Sequence, residues 1–138
     1  MRDFLISTAV FLMILSIGYI ALKPGMTSAG GSGDVISVGE GGFSSAVLAN
    51  DKPVLVDFSA DWCTACKKLE PTLSRLASDF KGQATVVRVD VDDSKVLADQ
   101  YGVSALPTII LFKNGAELAR FRGAQSERRL RGALKGAL

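Results

Sequence analysis

Two cysteines separated by two residues are the side chains in this sequence best suited to chemistry. Cys63 and Cys66 are the only cysteines among its 138 residues, and an apolar run ending at Phe58 shortly precedes them. At the start of a helix, such a pair places the first cysteine beside free backbone N–H groups, which favour a thiolate, and the second one turn away. We therefore predict that Cys63 attacks a disulfide and that Cys66 resolves the mixed disulfide. An inert local disulfide is less favoured, because so small a loop gives little entropic stabilisation.

Asp57 is the third residue expected to take part in this chemistry. It lies inside the apolar run that precedes the cysteines. An ionised carboxylate buried without a partner is costly, so we expect burial to raise the pKa of Asp57. A neutral acid at this place would be able to take the Cys66 proton and return it. The alternative is an ordinary carboxylate at a strand end, paired with the backbone or with Lys67 or Lys68.

The rest of the composition excludes several classes of site. The sequence has no histidine, which removes Ser/His and Cys/His nucleophiles and every histidine-containing metal site. Two cysteines cannot form a disulfide-rich scaffold, and they would form a four-thiolate zinc site only across a dimer. The formal net charge of +2 is too small to indicate a nucleic-acid partner. We therefore predict no metal, and no cofactor other than the redox-active disulfide between the two cysteines.

An uncharged apolar segment lies near the start of the chain. It extends from Phe4 to Leu22 and is followed by Lys23, and its length is close to the roughly 20 residues that a membrane helix needs. We predict that residues 1–23 are a single-pass membrane anchor. The alternative is a secretory signal cleaved near the small residues at 27–29, although the apolar core of such signals is normally shorter.

Both interpretations place the folded part of the chain outside the cytoplasm, because a short N-terminal tail seldom crosses a membrane ahead of a large domain. In a bacterium this means the inner membrane with the C-terminal domain in the periplasm, or secretion after cleavage. Residues 24–33 are rich in glycine and serine and are predicted to be a flexible linker. Residues 34–138 are predicted to form one domain of ordinary size.

Hydrophobic periodicity predicts alternating strands and helices in this domain. Pro71 lies inside the second predicted helix, where a kink is favoured over a break, and Asn114-Gly115 predicts a hairpin. The order βαβαβαββα favours a three-layer α/β/α sandwich with a mixed central sheet, preceded by the N-terminal transmembrane helix. The predicted strands are 34–38, 54–58, 84–91, 108–112 and 116–122, and the predicted helices are 43–49, 64–81, 94–101 and 125–138.

From Val35 to Leu138 the sequence resembles the thioredoxin family. The resemblance is strongest around the cysteines, where Asp57, Trp62 and Pro71 accompany the pair at the family's spacing. It implies a thioredoxin-like fold and thiol-disulfide exchange with protein substrates. The matching segments are 54–58, 60–63, 66–67, 87–90, 101–103, 106–108 and 112–115, with Gly123 where the family keeps a glycine.

The resemblance also implies a substrate-binding surface around the cysteines. Pro107 is expected to be in cis and to face the pair, which leaves backbone groups of Ala105 and Leu106 to bind an extended substrate segment. From the residues alone, an ordinary proline at a strand start is the alternative for Pro107. The residues assigned to this surface are Trp62, Thr64, Ala65, Ala105, Leu106, Pro107 and Gly123.

Two places differ from the family's usual sequence. Thr64-Ala65 stands where the family has Gly-Pro, and Ser59 stands where it has a tryptophan. Because the residues between the cysteines tune the stability of the thiolate, the reduction potential is left open. Residues 60–67 are similar to the C-terminal domain of the transmembrane thiol-disulfide interchange reductase and to membrane-tethered thioredoxins of the bacterial envelope.

The resemblance and the apolar segment together predict a membrane-tethered reductase of disulfides in extracytoplasmic proteins. An oxidising compartment would keep Cys63 and Cys66 bonded, so a transmembrane thiol electron donor is also predicted. A dithiol oxidase or disulfide isomerase of the same fold is the first alternative. The second is a binding module that holds partners beside Trp62 and Pro107 and is switched by its redox state.

Overall fold

The structure is a computed structural model that describes residues 33–138. The predicted membrane anchor, residues 1–23, and all but the last residue of the predicted linker lie outside the described residues. Within residues 33–138, no helix is both long and apolar enough to cross a membrane.

A mixed five-stranded sheet forms the centre of the domain. Its strands are β1 (Val35–Ser37), β2 (Val54–Ser59), β3 (Thr85–Asp90), β4 (Thr108–Lys113) and β5 (Ala116–Arg122). They lie in the order β1-β3-β2-β4-β5. β3 is parallel to both β1 and β2, whereas β4 is antiparallel to β2 and to β5. The predicted mixed sheet is therefore confirmed.

Within residues 33–138, four α-helices alternate with the strands. They are α1 (Glu40–Phe43), α2 (Thr64–Asp79), α3 (Lys95–Gln100) and α4 (Glu127–Ala137), and α1 continues as a π-helical turn at Ser44–Leu48. The predicted first helix, 43–49, misses the start of α1. Gly41 and Gly42 occupy that turn, and glycine is a poor helix former, so periodicity alone gave no signal there.

Both faces of the sheet are covered by apolar side chains, and β2 contributes to each face alternately. Leu55 joins the cluster formed with α2 and α4, whereas Val56 and Phe58 join the cluster formed with α1, the π-helical turn and α3. This alternation places Asp57 on the same face as Leu55, towards α2 and α4. Helices on both faces of one sheet give the predicted three layers.

The elements that carry the cysteines meet at one edge of the sheet. α2 begins shortly after β2 ends and runs through Pro71 without interruption. Phe58 at the end of β2 pairs with Thr108 at the start of β4. The segment before β4, which contains Pro107, is therefore held close to the start of α2.

Candidate active site

Cys63 and Cys66 form a disulfide at the start of α2. Cys63 is the N-cap residue with an extended backbone, and the backbone N–H of Cys66 donates to Cys63 Sγ (3.2 Å). Cys63 is 6% exposed and Cys66 is 1% exposed. The cysteine nearer the solvent is thus also the one whose sulfur accepts a backbone N–H at the helix end, where the helix dipole favours negative charge.

Asp57 is buried on the face of β2 that α2 covers. Its side chain is 1% exposed, and within residues 33–138 its Oδ1 has no hydrogen-bond partner. Burial raises the pKa of Asp57 to about 7, an effect that the positive charge of Arg88 partly offsets. No ion pair in the described part of the chain joins Asp57 to Lys67 or Lys68, and both lysines are exposed. The direction of the pKa change agrees with the sequence-based expectation.

Ser59 lies on the same face of β2 as Asp57, two residues nearer the cysteines. It is 1% exposed, and its hydroxyl has no hydrogen-bond partner among the described residues. The hydroxyl lowers the pKa of Asp57. Asp57 Oδ1 and the Ser59 hydroxyl are thus two buried polar atoms on one face of β2, beneath α2.

Arg88 is a charged neighbour of Asp57 that could not be identified from the sequence. It is the register partner of Asp57 on β3, and its guanidinium donates to Glu70 Oε1 (2.8 Å) and Asp61 Oδ1 (3.2 Å). A charged residue inside the strand pattern of β3 was the available signal. Its cross-strand partner could not be predicted, because the register between two parallel strands depends on the whole sheet.

Trp62 presents an exposed aromatic surface immediately before Cys63. It is 70% exposed, and its indole N–H donates to Asp92 Oδ2 (2.8 Å). That bond fixes the ring against the loop after β3 while its faces stay open to solvent. Thr64 is exposed and Ala65 is half-buried, so the residues between the cysteines also reach the surface.

The segment before β4 packs against the cysteines. The Leu106–Pro107 peptide bond is cis, and Leu106 packs on the small cluster formed by Ala60 and the two cysteines. The carbonyl of Ala105 already accepts a hydrogen bond from Thr108 Oγ1 (2.7 Å). It keeps a second lone pair for a substrate, since a carbonyl oxygen can accept two bonds.

Gly123 joins this region through Pro107. Its backbone N–H donates to the Pro107 carbonyl (2.8 Å), and its φ of +77° is one that residues with a side chain rarely adopt. The structure therefore brings the predicted surface residues of three segments together around the disulfide. Asp57 lies beneath that surface, inside the domain.

Metal ligation has no structural support in the part of the chain described. Within residues 33–138, no three side chains of the metal-ligating types lie close enough together to hold an ion. The only cysteines are bonded to each other. The absence of any cofactor beyond this disulfide remains a prediction.

Comparisons with known proteins agree with one another. A thioredoxin family model matches residues 34–136. The thioredoxin of Haemophilus influenzae is 40% identical over 91 residues, which are 66% of this chain and 85% of that protein. The thioredoxin of Mycolicibacterium smegmatis is 42% identical over 105 residues, 75% of this chain and 94% of that protein. The bifunctional thioredoxin reductase/thioredoxin of Mycobacterium leprae is 41% identical over 102 residues, 74% of this chain but 22% of that longer protein.

The same relationship is present among solved structures. A mutant thioredoxin from Halobacterium salinarum, with a single substitution, superimposes with a TM-score of 0.70 and 33% sequence identity, covering 76% of this chain and 91% of that one. The family model spans the domain from β1 into α4 and includes the bonded cysteine pair. Extent of match, shared fold and redox-active pair thus lead to one conclusion: the chain belongs to the thioredoxin family and is a protein thiol-disulfide oxidoreductase.

Proposed function

We propose that this protein reduces disulfides of extracytoplasmic proteins, with Cys63 as the nucleophile, Cys66 as the resolving thiol and Asp57 as the proton carrier. The observation that supports these roles best is the position of Cys63, whose sulfur accepts the Cys66 N–H at the start of α2. A group that accepts such a bond as a neutral sulfur accepts a stronger one as a thiolate. Cys63 is also the more exposed cysteine.

In the proposed reaction the reduced enzyme gives two electrons to the substrate. The Cys63 thiolate attacks one sulfur of the substrate disulfide, and the other substrate sulfur leaves as a thiolate. Cys66 then loses its proton to the Asp57 carboxylate and attacks Cys63 Sγ. The substrate sulfur still bound to Cys63 leaves and takes that proton back from Asp57, and the first substrate thiolate takes a proton from solvent. The substrate is then a dithiol, and the enzyme holds the Cys63–Cys66 disulfide. A pKa of Asp57 near 7 suits a group that must accept and release a proton near neutral pH.

Substrate binding is assigned to the surface around the disulfide. The exposed Trp62 ring offers an apolar contact, and the backbone between Ala105 and Pro107 lies against the cysteines to pair with an extended segment. Such pairing recognises backbone and shape more than side chains, so one site serves many substrates. The full proposed surface is Trp62, Thr64, Ala65, Ala105, Leu106, Pro107 and Gly123.

The cellular setting follows from the apolar segment between Phe4 and Leu22. We assign it as the single-pass anchor that holds the domain on the periplasmic side of a bacterial inner membrane, with a cleaved signal as the alternative. In that compartment the dithiol would be oxidised without a supply of electrons. The proposal therefore includes a transmembrane protein that donates electrons through its own thiols, as the likeness to the transmembrane interchange reductase suggests.

Trapping with the Cys66→Ala variant of the full chain in membranes tests the catalytic roles. Without the resolving thiol, mixed disulfides through Cys63 are expected to accumulate and to disappear on treatment with a reductant. The control is Cys63→Ala/Cys66→Ala, which should trap nothing covalently. Partners recovered equally with both variants would instead support the redox-switched binding module.

The direction of electron flow is tested by equilibrating the Cys63–Cys66 pair with glutathione. A reductase is expected to lie near the thioredoxin value of about −270 mV, whereas a value near about −120 mV would make the protein a dithiol oxidase. The measurement is needed because Thr64 and Ala65 lie between the two cysteines, where residues tune the reduction potential of the pair.

Location is tested separately, with a membrane-impermeant maleimide on intact spheroplasts. The reagent should label the reduced cysteines of a chain that stays with the membrane after salt washing. Recovery of a shortened chain in the periplasmic fraction would favour the cleaved signal, and labelling only after lysis would place the domain in the cytoplasm.

A further inference from the structure

We propose that Glu70 is a positioning residue of this redox site, whose carboxylate holds the Arg88 guanidinium away from Asp57. The inference rests on the proposed role of Asp57 in proton transfer. It concerns a residue of α2 that the motif around the cysteines does not include, and it explains why Asp57 lacks a direct ionic partner although an arginine lies beside it.

The sheet brings Arg88 next to Asp57. The two residues are register partners on β2 and β3, and adjacent strands lie about 4.8 Å apart. Leu55 and Val86, two residues earlier on each strand, both join the cluster beneath α2, so alternation directs Asp57 and Arg88 to that same face. A cross-strand pair of opposite charge in this arrangement would ordinarily form an ion pair.

The arginine instead bonds to two other carboxylates. Its Nη1 donates to Glu70 Oε1 (2.8 Å) and its Nη2 to Asp61 Oδ1 (3.2 Å), and no ion pair to Asp57 occurs within residues 33–138. The Asp61 side chain is 91% exposed, whereas that of Glu70 is 48% exposed. Since solvent screens the more exposed contact more strongly, Glu70 is the principal group that fixes the guanidinium.

An open space beside these groups allows the guanidinium a second position. A cavity of about 200 Å³ lies between β1, β3 and α2, and Asp57, Glu70 and Arg88 all line it. That volume accommodates a few water molecules, each of which takes about 30 Å³ in the liquid. An arginine released from Glu70 would therefore have room to turn towards the unpaired Asp57 Oδ1.

Such a movement of the guanidinium would change the pKa of Asp57, because charged neighbours influence that pKa. Arg88 on β3 lowers the pKa of Asp57 and Glu70 on α2 raises it, while burial is the largest influence. Asp61 also pairs with Arg88. The remaining cavity-lining residues carry no charge and are Val35, Ser37, Leu73 and Ser74. A direct Arg88–Asp57 pair would stabilise the carboxylate and weaken its hold on a proton at neutral pH.

The test is a titration of Asp57 in the oxidised full chain, followed by NMR of the ¹³C-labelled aspartate carboxyl. Glu70→Gln keeps the size of the side chain and removes its charge, and should lower the Asp57 midpoint by at least about one pH unit, a tenfold weakening of proton binding. Glu70→Asp should restore part of the shift. The matched control is Asp61→Asn, which removes the other partner of Arg88 and should have a smaller effect.

A double-mutant cycle with Arg88→Met separates two effects of Glu70 on the pKa of Asp57: the one that acts through Arg88, and the direct effect of the Glu70 charge. If Glu70 acts through Arg88, then Glu70→Gln should shift the midpoint by less than about one third as much in the Arg88→Met background as in the wild type. An equal shift in both backgrounds, or no shift in the wild type, would overturn the positioning role. Separately, an unchanged rate of mixed-disulfide resolution in Asp57→Asn would overturn the proton-transfer role, whatever the titration shows.

Discussion

Replacing Asp57 by asparagine should stabilise the folded protein, by an amount that grows as pH rises from about 4 and is complete at neutral pH. The carboxyl is buried, and its Oδ1 has no hydrogen-bond partner among the described residues. Ionising it inside the domain is therefore unfavourable compared with ionising it in the unfolded chain. Asparagine has nearly the same shape and cannot ionise, so the variant removes that penalty with little change in packing.

The size of the effect follows from the pKa of Asp57. Burial raises the pKa from its ordinary value of 3.8 to about 7, and each pKa unit corresponds to about 1.4 kcal/mol. The folded state binds the extra proton between these two pH values, so the stability of the wild type falls as pH rises from about 4 to about 7. Above pH 7 the full penalty is present, and Asp57→Asn should be more stable by about 4 kcal/mol, an upper estimate.

Urea unfolding of the oxidised chain in a mild detergent measures this difference, with the fluorescence of Trp62, the single tryptophan, as the probe. The free energies of unfolding of wild type and variant should be similar near pH 4 and should diverge up to pH 7. Asp93→Asn, in the exposed loop after β3, controls for the loss of one negative charge. A difference that stays constant from pH 4 to pH 8 would refute the assignment to ionisation of Asp57.

Two further predictions concern Ser59, beside Asp57, and Gly115, in the hairpin between β4 and β5. Ser59→Ala removes a buried hydroxyl that has no partner among the described residues. Near pH 4, where Asp57 is neutral in the folded state, it should leave the free energy of unfolding unchanged or raise it by up to about 2 kcal/mol. It should also raise the pKa of Asp57, so any gain should shrink above neutral pH; a loss of stability in urea at pH 4 would instead indicate a bound water. Gly115→Ala and Gly82→Ala both introduce a side chain at positive φ, but only at Gly115 would the new Cβ lie 2.9 Å from the Leu48 carbonyl oxygen. Thermal unfolding should therefore show Gly115→Ala to be the less stable by at least about 1 kcal/mol, and equal melting temperatures would contradict the contact.

Short-range patterns in the sequence were sufficient for most of the fold. The apolar run of β2 and the spacing of Leu69, Leu73 and Leu76 on α2 predicted a buried strand and the inward face of a helix, and all three leucines are buried. Asn114-Gly115 predicted the hairpin between β4 and β5, and both residues have positive φ. These features depend on residues close together in the sequence, so they can be predicted without a structure.

The polar surroundings of Asp57 could not be predicted in the same way. Its burial and raised pKa could be inferred from its place in an apolar strand, but Arg88 reaches it through the register of β2 with β3. The Arg88–Glu70 ion pair then joins two residues 18 positions apart, on β3 and on α2. Such contacts depend on how the sheet and helix pack together, and no local periodicity encodes them.

The buried carboxyl of Asp57 lowers the stability of the fold above neutral pH, whereas the proposed proton transfer requires that carboxyl. An asparagine or an apolar residue at this position would avoid an ionisation penalty of about 4 kcal/mol above neutral pH, a large share of the roughly 5–15 kcal/mol that typically separates folded from unfolded states. The positive charge of Arg88 offsets only part of that penalty, because its guanidinium is bound to Glu70 and Asp61 rather than to Asp57. A residue that weakens the fold, in surroundings that leave its charge unpaired, is expected where function requires it. The arrangement is thus what the proposed proton exchange between Asp57 and Cys66 would require, namely a buried carboxyl whose pKa is raised to about 7.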